Sequence, residues 1–321
     1  MQEHGMAVEL ERCDTPKIGI VTVTYNSRSV LEDFFASLSK QTYASFNLYI
    51  VDSGSTDETL TYCRAYMPHI PGKTVILENS KNIGFAAGTN QGVKHAMQDG
   101  CDYILALNND TVFDPDLLQL LANGLKKHKC DMTAPMMYYY EPKDRIWAAG
   151  GRLQKCLAYR NIHRGFNETD RGQYSIPCQI TFAPLCCVLI RKEVFDRVGL
   201  LDEAYFTYTE DVDFMLQCLR HDSKLWYIPS AKLWHKVSSL TGATSEFTVR
   251  NCTINRLYFI KKNLPAPLAT AWRIAYSIYY ILEFFMRKHS WEKVAFRLQA
   301  ASSGWTSIHH NTALLNRRKG E

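Results

Sequence analysis

Three short polar runs carry side chains that could do chemistry together. They are Glu210-Asp211-Val212-Asp213, Trp234-His235 and Asn108-Asn109-Asp110. A carboxylate such as Asp211 can take a proton from a hydroxyl. Asp110 and His235 offer an oxygen and a nitrogen of the kind that hold Mn²⁺ or Mg²⁺. Each also has an ordinary explanation. Acidic residues in the first turn of a helix offset its dipole, and Glu210, Asp211 and Asp213 could do only that. Asp110 could cap the turn from Thr111 to Asp114, and a single histidine is more often packed than ligating. Asp110 and His235 are far apart in the chain, so only a fold could unite them.

The elements that would position these groups follow from hydrophobic patterning. Ile18–Thr24, Leu48–Val51, Thr74–Leu77 and Tyr103–Leu107 are short apolar runs that read as buried strands. Helical patterns separate them. Ser29 with Glu32, and Ser55 with Glu58, have capping-box spacing. Asp114-Pro115 reads as the cap and first position of a further helix. Strands alternating with helices over the first ~120 residues predict a parallel, doubly wound sheet. Ligands of such a sheet lie at the carboxyl ends of its strands. Polar residues stand at all of those ends: Thr24-Tyr25-Asn26, Asp52-Ser53, Asn82 and Asn108-Asn109-Asp110. Asp52 could accept from a pyrimidine N–H or a ribose hydroxyl, or close an Asx turn through Ser53-Gly54. Gly84 and Gly88 would admit a close backbone approach. Their spacing is neither G-x-G-x-x-G nor a P-loop, which weakens dinucleotide and NTPase readings.

Beyond about residue 133 the segments shorten. Cys187–Ile190 and Leu225–Pro229 read as strands, Glu193–Val198 as a helix stopped by Gly199, and residues 210–221 as a helix. The expected organisation is an arm over residues 1–16, a nucleotide-binding half over 17–132, a catalytic and acceptor half of the same domain over 133–262, and a helical extension over 263–321.

With 321 residues, 46% hydrophobic and 21% charged, the chain can bury a sizeable core. Its net charge of +5 is too small to point to nucleic acid. The ten cysteines include no C-x-x-C pair, so they read as buried reduced thiols of a cytosolic protein. Residues 1–16 have no apolar core of a signal peptide.

In this order the motifs resemble the family-2 glycosyltransferases, inverting enzymes of the GT-A fold. The matching residues are Val23-Thr24-Tyr25-Asn26, Val51-Asp52-Ser53-Gly54-Ser55-Thr56-Asp57, Asn82 to Asn90, Leu107 to Asp110, Val198 to Glu203, Glu210 to Asp213 and Trp234-His235. The resemblance implies that Thr24, Tyr25, Asn26, Asp52, Asn82, Gly84, Asn90, Asn108 and Asn109 serve a donor nucleotide. It implies that Asp110 and His235 hold the divalent cation, Mn²⁺ or Mg²⁺, that Asp211 is the base, and that Glu210 and Asp213 support it. Arg250 would reach the diphosphate. The Asn-Asn-Asp run is similar to the rhamnosyl- and galactofuranosyltransferase branch, which makes dTDP-L-rhamnose the first expected donor and UDP-sugars the alternative. Ala183-Pro184-Leu185-Cys186-Cys187 replaces a glycine common in that branch. The implied acceptor is a surface polysaccharide or lipid-linked glycan. A nucleotidyltransferase is disfavoured by Tyr25-Asn26-Ser27-Arg28-Ser29, which is not a Gly-rich basic loop. A silent nucleotide- or carbohydrate-binding subunit is the alternative of another class.

Residues 264–286 carry only Arg273 and Glu283 as charges. Trp291, Val294, Leu298 and Trp305 then fall on one helical face, which suits a helix lying in a membrane interface, here the inner leaflet. The alternative is packing on the catalytic domain or on a second copy in a homo-oligomer.

Overall fold

The computed structural model describes residues 15–237, 245–286 and 290–306. The expected arm at residues 1–16 lies almost wholly outside them.

The amino-terminal half alternates as the patterning requires. It runs β1 (Ile18–Thr24), α1 (Leu31–Leu38), β2 (Phe46–Asp52), α2 (Thr59–Tyr66), β3 (Thr74–Glu78), α3 (Phe85–Gln98), β4 (Tyr103–Leu107), β5 (Thr111–Phe113) and α4 (Leu117–Lys127). The second half adds β6 (Met132–Tyr139), β7 (Ile146–Ala148), β8 (Gly151–Gln154), β9 (Arg160–His163), β10 (Cys178–Ile180), β11 (Cys187–Arg191), α5 (Lys192–Val198), α6 (Glu210–Arg220) and β12 (Leu225–His235). Three helices follow: α7 (Glu246–Asn263), α8 (Ala266–Phe285) and α9 (Trp291–Thr306).

The main sheet has the order β10-β12-β6-β11-β4-β1-β2-β3. β4, β1, β2 and β3 are mutually parallel, and β11 is antiparallel to both of its neighbours, β4 and β6. The strand order therefore reverses beside β1, with β2 on one side and β4 on the other. That reversal opens a crevice at the carboxyl ends of β1 and β4. The central strands β1, β2, β4 and β11 are buried on both faces, between two apolar clusters. α3 can lie tightly on β1 because a Cβ at Gly88 would meet Val23 and one at Gly92 would meet Val21 at 2.4 Å.

β12 runs past the expected Pro229 to His235. A register shift against β6 falls between Ile228 and Lys232, and Pro229 sits in it, at a point where a strand tolerates a missing N–H. Beyond the shift, β12 pairs antiparallel with β5, placing His235 opposite Thr111 and so beside Asp110.

Three expected helix starts are displaced. Val30, not Ser29, precedes α1, and no side chain caps it. Ser55 turns back to Asp52, its backbone N–H donating to Oδ2 at 2.9 Å, so α2 opens only at Thr59. Asp114 and Pro115 form a turn whose carbonyls accept from Leu117 and Thr42, and α4 begins at Leu117. At Ser55 and at Asp114-Pro115 a local or tertiary hydrogen bond outcompeted the cap.

The face of α9 read as membrane-directed is spent on protein. Val294 is fully buried, and Leu298 and Trp305 pack on the main core. Trp291 is exposed. It is α8 that leaves apolar side chains in solvent, among them Ile274, Ile278, Leu282 and Phe285.

Candidate active site

A cavity of about 370 Å³ opens at the reversal of strand order. Its volume lies at the low end of the range that holds small molecules, roughly 300–1,000 Å³. The segment between β4 and β5 contributes Asn108, Asn109 and Asp110, β12 contributes His235, and the start of α6 contributes Glu210 and Asp211. The fold thus brings the three chemical runs together in one place.

Asp110 Oδ1 and His235 Nε2 are 3.1 Å apart. That spacing suits a hydrogen bond. It also suits two neighbouring ligands of one octahedral ion, since bonds of about 2.1 Å at right angles leave roughly 3 Å between donors. Among the described residues no group of three His, Cys, Asp or Glu side chains is arranged to hold a metal. Asp110 and His235 could hold a cation here only as two protein ligands, with water or phosphate oxygens filling its other positions. Three buried polar atoms on this cavity have no partner among the described residues: Asn108 Oδ1, Glu210 Oε2 and His235 Nδ1. A buried unpaired polar atom costs about 1–3 kcal/mol, a cost that water or a polar ligand in the cavity would relieve.

Burial pushes the Glu210 carboxyl well above its usual range, and the neighbouring Asp211 charge adds to this. Burial also raises Asp211 to about 6, against the opposing backbone hydrogen bond from Val212. The two carboxyls share one proton-accepting environment at the amino end of α6. Deprotonated Asp211 can accept a hydroxyl proton near neutral pH.

Asp213 lies elsewhere. Its oxygens accept from Lys262 Nζ at 2.7 Å and Asn263 Nδ2 at 2.6 Å, so it ties α6 to α7 and does not line the cavity. Lys262 also donates to Asp202.

The residues expected to serve a nucleotide divide into two groups. Asn108 and Asn109 line the cavity, and Asn109 also donates to the Val23 carbonyl at 2.6 Å. The others bind one another or the backbone. Asp52 is fully buried and accepts from Thr24 Oγ1 at 3.0 Å and from Ser55 Oγ and N. Asn26 accepts from Thr56 N. Asn82 accepts from Gly84 N, and Gly84, at φ +84°, leaves no room for a Cβ beneath the Phe206 carbonyl. Asn90 grips residue 201 through both N–H and carbonyl. Tyr25 is exposed, and Arg250 stands in the first turns of α7. None of these lines the cavity.

The cavity also has walls that the motifs did not reveal. Trp147 meets the His235 ring edge-on at 4.6 Å and the His163 ring at 5.2 Å. His163 is lowered by burial despite its hydrogen bond to the Trp147 carbonyl. Pro184, Leu185 and Cys186 form the side where the glycine was replaced. Burial and the charge of Asp110 push the Cys186 thiol far up, leaving it an apolar wall.

The family model for glycosyl transferase family 2 matches residues 19–199, more than half of the chain. The chain is a family-2 glycosyltransferase. The transferase is 23% identical over 248 residues to the N-acetylglucosaminyl-diphospho-decaprenol L-rhamnosyltransferase of Mycobacterium tuberculosis, covering 71% of this chain and 78% of that one. Its fold is similar to that of the mannosyltransferase PcManGT from Pyrobaculum calidifontis, solved with GDP-Man and Mn²⁺ (TM-score 0.56, 14% identity, covering 90% of this chain and 87% of the other). It is also similar to GalNAc-T7, solved with UDP, GalNAc and Mn²⁺ (TM-score 0.59, 16% identity), of which it spans 52% while 78% of its own length is covered. These likenesses establish the GT-A fold: a mainly parallel sheet flanked by helices, here with a helical carboxyl-terminal extension.

Proposed function

We propose that the transferase moves a sugar, with L-rhamnose from its dTDP donor as the first choice, onto a hydroxyl of a lipid-linked or surface glycan. The observation that carries this reading is one cavity lined both by Asp211 and by the Asp110–His235 pair, with three unpartnered polar atoms around it. Asp211 takes the acceptor proton while the acceptor oxygen attacks the anomeric carbon from the face opposite the nucleotide, so one displacement inverts configuration. Asp110 and His235 would hold a Mn²⁺ or Mg²⁺ ion, which supplies charge neutralisation for a departing nucleoside diphosphate. Arg250 would add positive charge from α7. The rhamnosyl donor and lipid-linked acceptor are supported by the mycobacterial relative, and UDP-sugars remain the alternative donor.

The test is a panel of sugar nucleotides scored first by protection against thermal unfolding, then by transfer to a polyprenyl-diphosphate GlcNAc acceptor. Protection by dTDP-rhamnose with transfer sustains the reading. Protection by UDP-sugars alone replaces the donor. Binding without transfer or hydrolysis of any donor would point to a silent subunit.

A lipid-linked acceptor needs access to a bilayer surface, and α8 has a suitable face. Ile274, Ile278, Ile281, Leu282 and Phe285 recur at helical spacing and are exposed. Both charges of the helix are turned inward. Arg273 lies over the Trp305 ring and Glu283 is buried against Arg297. Arg287 and Lys288 follow in sequence and suit anionic headgroups. No described helix is long and apolar enough to cross a membrane. We therefore place α8 on a bilayer surface, lying in its plane. Co-flotation with phosphatidylglycerol vesicles, lost in Ile278→Asp, supports this; a dimer that ignores vesicles refutes it.

A further inference from the structure

The acidic pair is presented by an unusual turn. Tyr208 and Thr209, immediately before Glu210, both have positive φ, 69° and 74°. Neither is glycine, and for β-branched Thr209 this conformation is a genuine outlier. Such strain persists only where the surroundings impose it.

The surroundings are identifiable. Asn255, on α7 and 1% exposed, donates from Nδ2 to the carbonyls of Thr207 and Tyr208, each at 2.8 Å. The Tyr208 hydroxyl meets Thr248 Oγ1, also on α7, at 3.2 Å. On the other flank, Phe85 N at the start of α3 donates to the Phe206 carbonyl at 2.7 Å. Thr209 O then accepts the helical hydrogen bond from Asp213 N. The turn is held between α3 and α7, and Thr207 and Tyr208 themselves line the cavity.

We propose that Asn255 is a positioning residue for the reaction: its amide holds the strained Tyr208-Thr209 turn that aims the Glu210-Asp211 pair into the cavity. This lies outside the segment matched by the family model, which ends at residue 199. It rests on reading Asp211 as the base. Without the amide, two neighbouring carbonyls lose their donor and the turn relaxes toward negative φ. The first residues of α6 then rotate. A displacement of about 1 Å at a reacting group costs on the order of 100-fold in rate.

The experiment uses the full chain and whichever dTDP- or UDP-sugar the wild type consumes fastest, read as nucleoside diphosphate release. Asn255→Ala is expected to lower kcat by about 10- to 100-fold with the donor KM held within about twofold. Adding Thr209→Gly, which favours positive φ at no steric cost, should recover part of that kcat, by about threefold or more. A kcat within about twofold of wild type, a loss carried by KM, or no recovery in the double variant overturns the proposal. Should Asn255→Ala fail to fold, Asn255→Leu, close to it in volume and without the amide donor, carries the test with the same expected and overturning outcomes. Asp211→Asn, run alongside, tests the base assignment separately. Activity there removes Asp211 as base, whereas recovery by Thr209→Gly reports on the turn whichever carboxyl serves.

Discussion

Two polar clusters stand at neighbouring strand ends of one sheet, and they differ in what their atoms are bonded to. At the ends of β1 and β2, Thr24, Asp52, Ser55, Asn26 and Thr56 bond one another, and Ser53 Oγ is the one buried side-chain atom of Asp52-Ser53 without a partner among the described residues. At the ends of β4 and β12 and at the start of α6, Asn108, His235 and Glu210 each keep a buried polar atom without a partner among the described residues. A closed network of this kind stabilises the loops that it ties together. An open one carries a desolvation cost that a ligand relieves. The difference predicts that variants of the first cluster cost stability and variants of the second cost turnover.

The sharpest test is Asp211→Asn. Transfer should fall by about 10²–10⁴-fold, measured as nucleoside diphosphate release, while protection by nucleotide survives. Asp110→Asn should come next, with a loss of roughly 100-fold in turnover that excess Mn²⁺ partly restores. Full activity of the wild type in excess chelator would break the reading of this pair. Asp52→Ala probes the closed cluster. It leaves the Thr24 and Ser55 donors unpaired and should cost about 1–3 kcal/mol, read as a lower melting temperature. An unchanged melting temperature with a raised donor KM would instead make Asp52 a nucleotide contact, and the contrast between the clusters would fail. Last comes pH. Turnover should rise as pH passes about 6 and Asp211 ionises. Stability has the opposite sign. The folded value of Asp211 is raised, so its stabilising contribution is full below its usual 3.8 and is lost as pH rises through about 6.

Much of this was legible in the sequence, for a physical reason. Ile18–Thr24 and Tyr103–Leu107 are apolar throughout because their strands are buried on both faces, and polar residues can appear only where such strands end. That logic found Asn108, Asp110 and the parallel order without coordinates. Side-chain direction was not legible. Asp211 and Asp213 sit two apart on one helix, yet one opens on the cavity and the other on Lys262 and Asn263. The partner that decides this is α7, remote in the chain. Ser55 satisfies a capping-box spacing but lies nearer in space to Asp52, and the shorter loop won. Trp147 has no motif around it. It reaches the site because β7 pairs with β6, a contact between short irregular segments with weak periodicity.

The pairing of β5 with β12 has a consequence for how the transferase is made. Asp110 emerges early in synthesis and His235 much later, after the whole of β6 to β11. Long-range strand pairing is slow, and a growing chain folds its amino-terminal part first. A chain released before β12 would contain four parallel strands and the closed Thr24–Asp52 cluster, but not the pair at Asp110. The protein therefore completes its candidate ion site only when nearly all of its sheet exists, so that truncated products lack the site rather than misuse it.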